Sequence, residues 1–168
     1  MFYRFFSLLN FWVTATNQHG VHSPFVYKFV TKCLYSPPSF TSNKSLNTLL
    51  KTILYFKKNS IQLVTNDTDL PRAIKKKVRD IELCSTSSEI LYLENLDKET
   101  IMHFIVKNNA LNNNSIVYVH NLYKNKATYN QWKVIKNLEK VRVTIDMFYG
   151  GLVFFRKEQV KEHFKIRI

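Results

Sequence analysis

From Ser60 onward the chain alternates short apolar runs of strand type with amphipathic segments of helical period, an order that few folds accommodate. SIQLV, IELC, ILYLENL and SIVYVHNLY are the strand-like runs. DTDLPRAIKKKV, KETIMHFIVKNNA and ATYNQWKVIKNL are the helical ones, the first opened by an Asp cap with Pro71 in its first turn. The tail adds VRVTIDMF, LVFFRK and HFKIRI. In the first of these, Val141, Val143, Ile145 and Met147 alternate with Arg142, Thr144 and Asp146, the pattern of a strand with one buried side. Strands interleaved with helices predict a mostly parallel α/β sheet, and the tail predicts a C-terminal antiparallel hairpin. Gly150-Gly151 would supply the positive-φ residues of that hairpin's turn, and HFKIRI would turn Phe164, Ile166 and Ile168 inward.

The first third reads differently. Residues 2–13 form a short aromatic-rich helix, stopped by the polar stretch 14–20. Ser23 is the expected N-cap of the next helix, Pro24 its first residue, and Pro37-Pro38 its end. A further helix over 45–56 places Leu46, Leu49, Leu50, Ile53 and Leu54 on one stripe. The expectation is a single domain over 1–168, with a helical cap at 1–58 and an α/β core at 59–168.

Composition narrows the function classes. Lysines and arginines exceed carboxylates by 13, which suits nucleic acid, an anionic membrane surface or acidic partners. Nineteen of the 25 basic residues are lysine, beside 16 Asn and 12 Ile, so codon bias accounts for part of the excess. Cys33 and Cys84 stand alone, which argues against a zinc site or disulfide framework and for reduced thiols in a cytoplasmic protein. No apolar run is long enough to span a bilayer. MFYRFFSLLNFWVTAT has the look of a signal peptide but lacks a cleavage motif, and reads instead as an amphipathic helix docked on the domain.

Three segments carry a resemblance: HGVHSPFVY, LLKTILYFKKNSIQLV and the tail VRVTIDMFYGGLVFFRKEQVKEHFKIRI. They resemble Bacteroidetes class I S-adenosylmethionine-dependent methyltransferases of the O-methyltransferase-like kind. The resemblance implies a Rossmann-like sheet ending in an antiparallel hairpin, with S-adenosylmethionine as cofactor and a small-molecule methyl acceptor. In that family the first strand runs into an acidic residue and a glycine turn similar to E-L-G-T-S-L-G. Here the stretch is Leu63-Val64-Thr65-Asn66-Asp67-Thr68-Asp69: the acid is Leu63 and the glycines are Thr65 and Asp69. The chain has three glycines, none between Gly20 and Gly150. Glycine matters there because the backbone must come close to the cofactor.

By the same resemblance, Glu82 in IELC matches the acid that holds the cofactor ribose. Glu94 keeps the carboxylate of a strand end similar to F-I-D-G-N-H, which here reads Tyr92-Leu93-Glu94-Asn95-Leu96-Asp97. Where the family has I-F-D-D-I-H-W-S, this chain has Tyr118-Val119-His120-Asn121-Leu122-Tyr123-Lys124-Asn125. The paired aspartates are thus His120 and Asn121, removing the oxygen ligands of a divalent ion and a carboxylate base. No metal is expected. The span between Thr65 and Ser88 is also too short for the family's crossovers, so IELC reads as an edge strand or irregular connection in a sheet reduced in strand number.

Together these features imply a degenerate methyltransferase-like protein that binds the cofactor weakly or not at all. An active enzyme with an atypical loop would place Asn66 at the turn and Glu82 on the ribose. A third reading, RNA binding, uses the basic helix with Arg72, Lys75, Lys76, Lys77 and Arg79, though a solvated helix face explains that run equally. His19 and His22 flank Gly20 without a third ligand nearby and read as turn histidines bonded to backbone; the sequence assigns no role to the segment His19-Gly20-Val21-His22-Ser23-Pro24-Phe25.

Overall fold

The computed structural model describes residues 2–168. Its centre is a seven-stranded mixed sheet in the order β2-β1-β3-β4-β6-β5-β7. The strands are β1 (Ser60–Val64), β2 (Glu82–Cys84), β3 (Ile90–Leu93), β4 (Ile116–His120), β5 (Val143–Asp146), β6 (Gly150–Phe154) and β7 (Glu162–Lys165). β6 is antiparallel to both its neighbours, and every other pairing is parallel.

Helices cover both faces because the inner strands are apolar on both. In β3, Ile90 and Tyr92 face one core while Leu91 and Leu93 face the other; β4 divides Ile116 and Tyr118 from Val117 and Val119 in the same way. The first core receives α2 (Pro24–Phe29) with its π-helical extension Val30–Leu34, α3 (Lys44–Tyr55) and α4 (Leu70–Lys77). The second receives α1 (Phe2–Thr14), α5 (Lys98–Thr100) with its π-helical extension Ile101–Val106, and α6 (Lys126–Asn137). Ser23 Oγ accepts from the Val26 amide as the sequence predicts, whereas Asp69, the N-cap of α4, makes no capping bond through its side chain; Asn43 and Asn125 cap α3 and α6.

Four expectations change. The sheet is not reduced in strand number. IELC supplies the edge strand β2, and β7 supplies another edge, parallel to β5. Residues 85–89 make the whole connection from β2 to β3 across β1, which is possible because β2 has only three residues. The hairpin forms, with Val143 opposite Phe154 and Asp146 opposite Gly151, but β7 flanks it, so it does not end the sheet. Residues 1–58 are not one cap: α1 packs on the opposite face from α2 and α3.

The hairpin glycines serve a different purpose from the one expected. No glycine has positive φ; Phe148, at φ 68°, takes that position in the turn. Gly150 and Gly151 are needed for space. A Cβ on Gly150 would lie 2.6 Å from Cζ of the buried Tyr118, and one on Gly151 would lie 2.8 Å from Leu122 Cδ1 and Trp132 Cη2. These neighbours are themselves core residues and have little room to give. Gly150→Ala is therefore expected to lower stability by about 2–3 kcal/mol in a urea melt, an overpacking cost.

The tail ties the ends of the chain into the sheet. Ile166 is fully buried and Phe164 and Ile168 pack against the first core. Removing residues 163–168 takes away most of β7 and apolar burial worth on the order of 5–8 kcal/mol. The truncated protein is expected to be insoluble or to lack a cooperative melt. A sharp melt within a few degrees of full length would contradict this architecture.

Candidate functional site

In an open α/β sheet, ligands bind outside the carboxyl ends of strands where neighbouring connections depart in opposite directions. Here that point lies between β1, whose chain leaves through α4 to β2, and β3, whose chain leaves through α5 to β4. A crevice of about 220 Å³ opens there on the α3 and α4 side, lined by Ser45, Asp67, Asp69, Tyr92, Glu94 and His120 among others.

The loop after β1 is closed by its own side chains. Glu94 Oε2 accepts from Thr65 Oγ1 at 2.7 Å and from the Asn66 amide at 2.9 Å. Thr65 Oγ1 accepts from the Asp67 amide, and Asp67 Oδ1 accepts from the amides of Asp69 and Leu70. The backbone donors that such a loop normally offers to a ligand are thus largely taken up internally. The Thr65 hydroxyl and the Asn66 amide hold the Glu94 carboxyl below the usual carboxylate range.

The opposite wall is a buried polar chain. Tyr118 donates its hydroxyl to the Ser45 carbonyl at 3.0 Å, while the Ser45 hydroxyl lies 2.9 Å from Tyr118 Oη and 2.8 Å from His120 Nδ1. Tyr92 stacks on Tyr118 with ring centroids 5.8 Å apart. Burial pushes the His120 imidazole down and Tyr118 well above the normal phenol range. His120 is therefore a neutral imidazole at pH 7, held by the serine on α3. The Ser45 contact at Nδ1 fixes the orientation of the ring.

The structure brings Asn66 and Glu94 together, one residue's amide against the other's carboxylate. The Asn66 residue itself lines a separate groove of about 730 Å³ that runs beside His103 and Phe104. Glu82 stands apart from both. It is the first residue of β2 and pairs with Ser60, whereas the crevice lies beyond Val64, four residues further along β1. At about 3.3 Å per residue, Glu82 is some 13 Å short of the crevice end of the sheet, at the wrong end for a ribose ligand. Sequence reasoning passed over Ser45, which reads only as the start of a helix; its role appears once α3 is laid against β4.

Other candidates resolve simply. His19 meets the Gln18 side-chain amide at 3.1 Å, not the backbone. Among the described residues no group of three or more His, Cys, Asp or Glu is placed to hold a metal. Cys33 is buried and its thiol is pushed up to about 12 by desolvation, which leaves it unreactive. A second cavity of about 480 Å³ lies beside β5 and β7, with Lys136, Lys165, His163 and Trp132 around the buried Asp146. That aspartate is already occupied, accepting from Tyr123 Oη at 2.7 Å and from the Phe148 amide at 3.0 Å.

The chain matches no protein family, no curated protein and no solved structure.

The Glu94 bonds set a pH dependence. A carboxylate whose folded pKa is depressed adds stability that is present above its unfolded value and lost as pH falls through the folded one. Glu94→Gln is expected to cost about 1 kcal/mol at pH 7, the difference between charge-assisted and neutral hydrogen bonds. It should also flatten the loss of stability between pH 5 and pH 3, followed by urea melts across that range.

Proposed function

We propose that this chain is a degenerate, methyltransferase-like α/β protein with a Rossmann-like core that binds S-adenosylmethionine weakly or not at all. The observation that carries this reading is the closed loop after β1, in which Glu94 and Asp67 take the backbone amides of residues 66, 69 and 70. A cofactor in this position would have to displace Glu94 from Thr65 and Asn66 and approach a loop without glycine. The crevice volume, about 220 Å³, is below the 300–1,000 Å³ of ordinary small-molecule sites. Three carboxylates, Asp67, Asp69 and Glu94, line it. The closed, glycine-free loop is what supports weak or absent binding of the cofactor.

The resemblance of the segments HGVHSPFVY and VRVTIDMFYGGLVFFRK supports the methyltransferase-like descent, as does a sheet whose penultimate strand pair is an antiparallel hairpin. The competing active-enzyme reading needs the Asn66 amide free and Glu82 at the ribose. The first is bonded to Glu94 and the second sits at the opposite end of its strand. We assign the protein to the cytoplasm, a reading supported by its two unpaired cysteines. No helix among the described residues is long and apolar enough to cross a membrane.

Calorimetry with S-adenosylmethionine and S-adenosylhomocysteine tests the proposal. The expected outcome is no saturable heat up to millimolar ligand. A Kd below about 100 μM, roughly −5.5 kcal/mol, would refute it.

A further inference from the structure

Helix α1 carries its most apolar face away from the protein. Only Phe11 is fully buried on this helix, against Tyr123 and Phe148 at ring distances of 5.9 and 5.5 Å, with Leu8 packed beside it. Phe2, Phe5, Phe6, Leu9, Trp12 and Val13 recur at helical spacing on the opposite side, exposed from 50% at Leu9 to 85% at Val13. Four of the six are aromatic, and together they form a continuous apolar strip along the helix. Monomeric proteins seldom leave so large a strip facing water unless something covers it.

The charge around the strip indicates what that is. Arg4, set over the Phe148 ring, is the single charged side chain of α1, which has no carboxylate. α6, which packs on the same face of the sheet, contributes Lys126, Lys133 and Lys136 and also has none. Lys165 reaches Thr14 at the end of α1. Asp146, which shares a cavity with Lys136 and Lys165, is buried and bonded to Tyr123 and Phe148. A second copy of the chain would bring another +13 against this surface, whereas an anionic surface would meet it favourably.

We propose that α1 is an interfacial anchor that lays Phe2, Phe5, Phe6, Leu9, Trp12 and Val13 into the headgroup region of an anionic lipid bilayer. Lys126 and Lys133 of α6, both exposed, flank it and meet the lipid charge. Aromatic and leucine side chains on one face of a short helix, with cations beside them, are the chemistry of peripheral membrane binding. The helix lies in the plane of the surface and spans nothing.

Cosedimentation with phosphatidylcholine vesicles, with and without roughly 30% phosphatidylserine, tests this directly. The expected result is at least about tenfold stronger binding to the anionic vesicles, weakened by salt, with a blue shift of tryptophan emission. Trp132 is already buried, so the shift reports Trp12. The variant Phe5→Gln/Phe6→Gln/Leu9→Gln/Trp12→Gln alters only outward side chains; it should keep its circular dichroism and thermal melt and lose about tenfold in binding. Absence of sedimentation with either vesicle would overturn the proposal. So would equal binding by the variant, which would leave charge alone as the cause. A dimer in light scattering that the variant abolishes would assign the strip to a second copy and likewise overturn it.

Discussion

Tyr118 is the residue on which the arrangement of the layers turns. It stands in the central strand β4, wholly buried, and three elements converge on it. Its hydroxyl holds Ser45 at the start of α3, its ring stacks on Tyr92 of β3, and its far side leaves room for Gly150 alone in β6. A buried phenol must find a partner or lose the free energy of an unmade hydrogen bond. Ser45 meets that need twice, through its carbonyl and its hydroxyl, and thereby fixes α3 over the sheet. The absence of a side chain at Gly150 then lets the antiparallel strand come in close beside β4. Helix, parallel half and hairpin all take their position from one ring.

That same contact shapes the crevice. Because Ser45 is held by Tyr118, its hydroxyl is available to His120, and the imidazole is drawn into the wall with Nδ1 engaged. On the other side, Glu94 draws the β1 loop inward through Thr65 and Asn66. Each wall satisfies part of its polar set internally, Ser45 with Tyr118 and His120 on one side and Glu94 with Thr65 and Asn66 on the other. Among the described residues Asn121 Oδ1 is the one buried side-chain acceptor without a donor, and it lies just past the end of β4.

The elements were largely legible in the sequence because periodicity carries them. The two-sided apolar run of SIVYVH reflects burial on both faces and the sheet uses it so, whereas VRVTIDMF, whose alternation reads as one buried side, is covered on both, with Thr144 and Asp146 as buried as Val143 and Ile145. Caps such as Ser23 are local chemistry and read correctly. What periodicity does not encode is register and order. Glu82 looks like a strand-end carboxylate, yet pairing with Ser60 puts it at the strand's beginning. Gly150-Gly151 looks like turn chemistry, yet the need comes from Tyr118 and Trp132, which are distant in sequence. Thr65 and Asp69 read as lost glycines; that Thr65, Asp67 and Glu94 take over the loop's amides is visible only when Glu94 is brought across from β3. Long-range contacts decided each of these, and a linear pattern does not contain them.

Residue 16 lies between two halves of the tail. The Thr16 amide donates to the Lys165 carbonyl and its carbonyl accepts from the Arg167 amide, while Tyr35 and Lys44 bond the carbonyls of Arg167 and Ile168. A segment near residue 16 is thus completed by one that is synthesised well over a hundred residues later. Pairings of such sequence separation are slow to form, because the intervening chain must be ordered first. Until residues 165–168 are released, α1 has no strand to anchor its end, and its aromatic residues stand in the cell as part of a nascent chain. Production of this protein therefore depends on keeping Phe2 through Val13 from premature association during synthesis, a demand made by the way the ends of the domain are joined.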